Sequence, residues 1–239
     1  ILVTKFIGAY DDKGAILTLQ LGTTAVRTLN PVMRNLSKAY KSFAQEREFF
    51  VEDSEDEERE IGFIVKGSYA YGYFRGEHGV HRIIFEDDKG KRQTNYLTVV
   101  VEPLVENETF VLKENEIQYE VLAASTPGGS NANTGNTGIR IKHKPTGITA
   151  ISRRKSKNNN IKIAREILAS RVAMKYKEQE EKLGEKRVNP IRGNHFRTYS
   201  LTGKKFIRDN KTGYETGVDA FLKGDIQEFI YNFHGINFI

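Results

Sequence analysis

The sequence predicts an α+β fold, on three observations. Short apolar runs of strand length crowd the chain up to Leu122. Two longer stretches, near 32–44 and 160–176, instead repeat apolar residues at helical spacing. A stretch rich in Gly, Asn and Thr from Ser125 to Gly138, and a return linker at Pro190 and Gly193, set apart the segment between them. Strands grouped apart from the long helix, rather than alternating with it, belong to the α+β class.

The elements follow in order. Ile16-Leu17-Thr18-Leu19-Gln20-Leu21 suits a strand. Thr28-Leu29-Asn30-Pro31 reads as a cap followed by proline in a first helical turn. Val32, Met33, Leu36, Ala39, Tyr40, Phe43 and Ala44 then line one face of an amphipathic helix. Phe49-Phe50-Val51 and Ile61 to Lys66 are strands, and the acidic run between them is a loop or a strand edge. Tyr69 to Ile84 reads as a helix or turn leading into a strand. Tyr96 to Val101 is a strand that Pro103 should end. Glu114 to Leu122 opens a second unit, whose long helix runs from Asn160 to about Lys186. Ala220-Phe221-Leu222 and Ile226 to Ile230 read as a final strand plus helix.

The chain has 239 residues, enough for one large or two small domains with real cores. Its 38% hydrophobic and 28% charged content is that of a soluble globular protein, and no apolar run reaches membrane-span length. No secretory signal pattern is present, and the chain starts at Ile1 rather than Met, so a removed targeting segment stays open. With no cysteine, disulfides and Cys-based zinc sites are excluded, which fits a reducing compartment. Five scattered histidines lack ligand spacing, so no metal and no cofactor is expected.

A net charge of +6 favours a polyanionic partner such as RNA. Its distribution is uneven. Glu52-Asp53-Ser54-Glu55-Asp56-Glu57-Glu58 is strongly acidic, while Arg140 to Arg208 holds about twenty Lys or Arg against about five acids. One face should therefore meet nucleic acid and another stay in solvent.

Three stretches carry more specific information. The loop Ser125-Thr126-Pro127-Gly128-Gly129-Ser130-Asn131-Ala132-Asn133 lies between a strand and the run Gly138 to Ile148, which holds a His143-Lys144-Pro145-Thr146-Gly147 turn. Tyr69-Ala70-Tyr71-Gly72 precedes Glu77-His78-Gly79-Val80-His81-Arg82. Arg197-Thr198-Tyr199-Ser200 precedes Arg208-Asp209-Asn210-Lys211-Thr212-Gly213-Tyr214-Glu215-Thr216. In this order and spacing, from about residue 15 to the end, they resemble bacterial-type class I peptide chain release factors of the type-2 kind.

The resemblance implies a codon-reading superdomain from residues 1–117 plus 190–239. It implies an inserted peptidyl-tRNA-hydrolase-like α/β domain at 118–189, bearing the Gly-Gly loop and a long basic helix. The family's N-terminal helical domain is expected to be missing or to lie outside this chain. Family members carry Gly-Gly-Gln where Gly128, Gly129 and Ser130 stand here. The glycines permit backbone conformations closed to other residues. The backbone N–H of the third position supports oxyanion stabilisation, and its amide side chain positions the attacking water. Ser130 keeps the first and lacks the second. As a nucleophile Ser130 would need an oriented base, and no histidine is nearby in sequence. No catalytic residue is therefore assigned, although a loop of small polar residues can still offer N–H groups to phosphate.

The family's Ser-Pro-Phe loop is also absent. Its equivalent, Asp87, Asp88, Lys89, Gly90, Lys91, Arg92 and Gln93, is about two residues shorter, reads as a tight hairpin, and has Gln93 where the family has a codon-stacking histidine. Glu77, His78, His81 and Arg82 read as a structural hydrogen-bond network beneath that loop. Tyr69, Tyr71, Tyr73 and Phe74 read as core and interface packing. Arg140, Lys142, Arg153, Arg154, Lys155, Lys157 and Lys162 are the RNA-binding candidates, since phosphate contacts give affinity without sequence specificity.

The expected function is a ribosome-binding protein of termination ancestry that lacks peptidyl-tRNA hydrolysis. It would occupy the A site, or an assembling or stalled ribosome, through ribosomal RNA, with mRNA and tRNA as further contacts. The alternatives are a transcript-stabilising RNA-binding factor and a weak hydrolase in ribosome rescue. No membrane or metal partner is expected, and the site of action is cytoplasm or organelle matrix.

Overall fold

The computed structural model describes residues 8–22, 26–87, 89–105, 112–122, 137–180, 195–222 and 226–235. Two sheets organise them. The larger is built from β1 (Gly14–Leu21), β2 (Phe50–Asp56), β3 (Glu60–Lys66), β4 (Gly79–Glu86), β5 (Arg92–Leu104), β9 (Arg197–Ser200), β10 (Phe206–Asp209) and β11 (Glu215–Thr216). Its order is β11-β10-β9-β4-β5-β1-β3-β2. Among the described strands only β4 and β9 pair in parallel, with His81 opposite Arg197. The smaller sheet has the order β6-β7-β8, from β6 (Ile117–Leu122), β7 (Gly138–His143) and β8 (Thr149–Ser152).

Helix α1 (Val26–Glu46) covers one face of the large sheet. Leu29, Met33, Leu36, Tyr40 and Phe43 recur at helical spacing and are buried against Leu17, Leu19, Phe63 and Val99. The expected cap at 28–31 does not start the helix. Pro31 lies inside it, where it removes one backbone donor, and the buried face holds the turn together. Asn30 is occupied otherwise: it donates to the Glu58 carbonyl at 2.6 Å and accepts from Arg34 at 2.9 Å. The C-terminus closes on a Schellman motif, with Phe49 N–H bonding Ala44 O and Glu48 N–H bonding Gln45 O. Glu48 takes the left-handed position, at φ 59°.

On the opposite face, Ile16, Ile64 and Leu104 join a second core with Ile139, Ile141, Ile163, Ile167, Leu168 and Val172. The last four come from α3 (Lys157–Glu180), which also packs on β7 and β8, so α3 lies between the two sheets. Short helix α2 (Ala70–Phe74) leads into β4. The final strand expected at Ala220–Leu222 is instead part of helix α4 (Val218–Leu222), followed by α5 (Gln227–Phe233). Buried Phe221, Phe229 and Ile230 from these helices complete the α1-side core.

Pro103 does not end β5, which pairs with β1 through Leu104. Pairing with β4 stops at Val99, so the flank at Pro103 carries no ladder. Buried Ser170 of α3 fills that flank, donating to Pro103 O at 2.9 Å and accepting from Val105 N–H at 2.9 Å. A missing proline N–H on that side costs no sheet bond.

Candidate nucleic-acid interface

Arg153, Arg154, Lys155, Lys157 and Lys162 gather around the start of α3. Arg140 and Lys142 instead alternate on β7 with Ile139 and Ile141, which pack with that helix, and so project from the other face of the small sheet. Ser156 caps the helix: its Oγ accepts from Asn159 N–H at 3.4 Å and its carbonyl accepts from Asn160 N–H at 3.0 Å. Asn160 is fully buried and has its whole side chain engaged. Its amide donates to Thr137 O and Arg154 O, both at 2.7 Å, and its oxygen accepts from Arg154 N–H and Ser152 Oγ. One side chain thus ties together the approach to β7, the end of β8 and the helix start. In the sequence Asn160 was legible only as the start of the long helix.

The seven candidates fall into distinct environments. Lys155, Lys157 and Lys162 are exposed and make no ion pair among the described residues. Lys142 is exposed on β7, and Arg140 bonds Glu120 at 2.9 Å across the β6–β7 pair. Arg153 and Arg154 point to the acidic edge strand β2. Arg153 meets Glu55 at 2.8 Å and Glu57 at 3.4 Å, and Arg154 meets Asp53 at 3.2 Å. The same seam is held by Arg153 N–H, which donates to Ser54 O at 2.8 Å; that carbonyl, 3.1 Å from Ser152 Oγ, is also the alternative acceptor for the Ser152 hydroxyl proton.

The acidic run is therefore not a solvated face, as its composition suggested. Asp56 and Asp53 also pair with Arg34 and Lys41 of α1, and Glu52 shares Lys66 with Glu166 of α3. Only Asp56 and Glu58 of the run are exposed. Burial, then the neighbouring Glu60 and Glu57, pushes the Glu55 carboxyl up to about 8 despite Arg153.

At the β4–β5 hairpin, Asp87 organises the tip. Its carboxylate accepts from Lys89 N–H at 3.0 Å, Lys91 N–H at 2.9 Å and the Gln93 amide at 2.9 Å. The Gln93 amide and then these backbone donors hold Asp87 below the usual carboxylate range. Gly90, at φ 72°, makes the tight turn. Lys89, Lys91 and Arg92 are exposed there. Gln93 turns its amide to Asp87. Asp88 lies outside the described residues.

Glu77, His78, His81 and Arg82 sit at the opposite end of β4, not beneath the hairpin tip. His81 is five residues from Glu86, about 17 Å along the strand. Glu77 is buried and bonds Arg197 through both nitrogens, one at 2.7 Å, and accepts from Tyr40 at 2.7 Å. Arg197 also stacks over Phe229 at 4.2 Å and lies 3.6 Å from Asp209. Buried His81 donates from Nε2 to Glu77 O and accepts Tyr199 O–H at Nδ1. Burial, with Arg197 beside it, lowers its pKa to about 3, so the ring is neutral. His78 accepts from Val101 N–H at 3.1 Å. Of the aromatic set, Phe74 is fully buried, while Tyr71 and Tyr73 pack against the same core. Tyr69 is half-buried at φ 71°.

Gly128, Gly129 and Ser130 lie outside the described residues. Among the described residues no group of His, Asp and Glu is arranged to hold a metal ion. No described helix is long and apolar enough to cross a membrane.

Comparison with known proteins places this geometry in a family. The PCRF domain matches residues 2–99 and the RF-1 domain matches residues 106–211. Peptide chain release factor 2 of Saccharopolyspora erythraea is 34% identical over 241 residues, covering 95% of this chain and 65% of the relative. Peptide chain release factor 2 of Renibacterium salmoninarum is 30% identical over 244 residues, covering 96% and 65%. The chain thus spans just under two thirds of the length of these curated relatives. The solved structure of RF2 of Thermus thermophilus superposes with a TM-score of 0.82 at 31% identity, covering 98% of this chain and 70% of that one. With the mixed α/β architecture above, these matches give the chain a release-factor fold, and it belongs to the class I peptide chain release factor family.

Proposed function

We propose that this chain binds the ribosome, in the A site or on an assembling or stalled particle, and does not hydrolyse peptidyl-tRNA. The observation that carries this reading is Ser130 at the third position of the Gly-Gly loop. A serine there keeps a backbone N–H for an oxyanion but has no amide long enough to position water. The hairpin tip supports the same direction. With Gln93 donating to Asp87, the position that carries a stacking ring in the family offers no ring, and its amide is already turned to a neighbour. Residues 1–117 plus 190–239 form the codon-reading-type superdomain in this reading, and 118–189 form the insert that carries the loop and α3.

Binding rests on ribosomal RNA phosphates meeting the exposed Lys155, Lys157 and Lys162, with Lys142 and Arg140 on the adjoining sheet. Arg153 and Arg154 stand beside this surface with their guanidinium groups paired to Glu55, Glu57 and Asp53.

The closed hairpin tip also favours a second reading, in which the chain binds free RNA as a transcript-stabilising factor. Co-sedimentation with bacterial-type ribosomes, with excess free RNA as competitor, separates the two. Retention on ribosomes supports the first reading, and complete displacement by free RNA supports the second.

A further inference from the structure

We propose that the acidic edge strand β2 is an internal competitor for RNA, holding Arg153 and Arg154 masked while the neighbouring lysines stay open. The inference rests on the reading that the start of α3 meets RNA phosphate, and adds how that surface is regulated.

The geometry separates two populations of cations within one short segment. Lys155, Lys157 and Lys162 are exposed without an acid partner among the described residues. Arg153 and Arg154, immediately before them, are engaged by Asp53, Glu55 and Glu57 at 2.8 to 3.4 Å. β2 and the residues just after it set the carboxyl groups of Asp53, Glu55 and Glu57 against the two arginines, with a β-bulge between Asp53 and Glu55 turning them to either side of the strand. Guanidinium groups suit carboxylate and phosphate alike, because the planar fork bonds either one in two-point fashion. The arginines can therefore exchange one anion for the other.

The strand also tolerates their departure. Asp53 keeps Lys41 as a second partner. Glu55 is buried among Glu57 and Glu60, which already favour its protonated form. Losing Arg153 need not leave an unpaired charge in the seam. The remaining contacts there, from Ser152 and the Arg153 backbone to Ser54 O, do not use the guanidinium groups.

The test is a mutant cycle read by fluorescence anisotropy on labelled poly(U) RNA across a salt series. The unmasked variant is Asp53→Asn/Glu55→Gln/Glu57→Gln. Amides fit because Glu55 already favours its neutral form. The partner variant is Arg153→Gln/Arg154→Gln, and the two are combined. The proposal expects the arginine variant to bind like the wild type. The unmasked variant should bind more tightly, with a salt slope steeper by about 1.4 from two added phosphate contacts on a single strand. That gain should vanish when the arginines are also replaced.

Equal affinity of the unmasked variant and wild type overturns the proposal. So does a gain that persists without the arginines, which would be a general effect of removing negative charge. A separate variant, Lys155→Ala/Lys157→Ala/Lys162→Ala, reports on the underlying reading. If wild type binds and these substitutions change nothing, the surface itself is misassigned, whatever the cycle gives. Should the triple variant not fold, Asp53→Asn alone unmasks Arg154 and is judged by the same cycle with Arg154→Gln.

Discussion

At the scale of single residues, the buried cluster around Arg197 sets the energetics. Glu77 and Arg197 are each about 1% exposed, so neither charge has water to fall back on. Removing one partner strands the other in a low-dielectric interior. Glu77→Ala should therefore cost about 3–5 kcal/mol in a urea titration. The neutral ring of His81 adds a pH dependence. Its folded pKa near 3 lies below the ordinary 6.5, so the unfolded chain binds the extra proton. The stability it contributes is complete above pH 6.5 and is lost as pH falls toward 3. His81→Gln should lower stability at neutral pH and flatten that part of the acid limb, as read by melting temperature against pH. Sequence reading identified Glu77 and His81 as structural. It did not pair them with Arg197, because that partner is 120 positions away and only the parallel β4–β9 register brings it opposite His81.

At the scale of elements, the sequence signals succeeded where one local period dominated. The apolar spacing of α1 and the runs of β1, β3 and β6 correspond to observed elements. They failed where a tertiary contact overrode a local rule. Pro103 stays within β5 because Ser170 serves its bare flank. Pro31 stays within α1 because one face of that helix is buried over its length. Ala220–Leu222 is too short for helical and strand periods to differ, and Phe221 inserts into the core from a helix. Asn160 is the element-scale hinge of the candidate interface. Asn160→Ala would strand the Thr137 carbonyl and the Arg154 N–H, while the Arg154 carbonyl keeps Thr137 Oγ1 and the Ser152 hydroxyl keeps Ser54 O. It should cost about 1–3 kcal/mol in thermal unfolding and weaken RNA binding by loosening the segment that bears Lys155 and Lys157. A variant that lost stability but bound RNA unchanged would separate that hinge from the interface.

At the scale of the whole molecule, the family frame was legible because its three motifs stand in order along the chain, and the RF2 superposition over 98% of the chain agrees with it. The destination of the acidic run was not legible. Composition alone cannot tell a solvated strand from one that pairs with arginines 98 positions later. The central claim is that a release-factor frame is used here without the release reaction. Its most direct test is a peptidyl-tRNA release assay on ribosome complexes to which the protein is shown, by pelleting, to be bound. The account predicts that the protein pellets with the complexes and that peptide release stays at the uncatalysed level. Peptide release above that level by the bound wild-type chain would mean that Ser130 suffices at the loop, and would contradict the account.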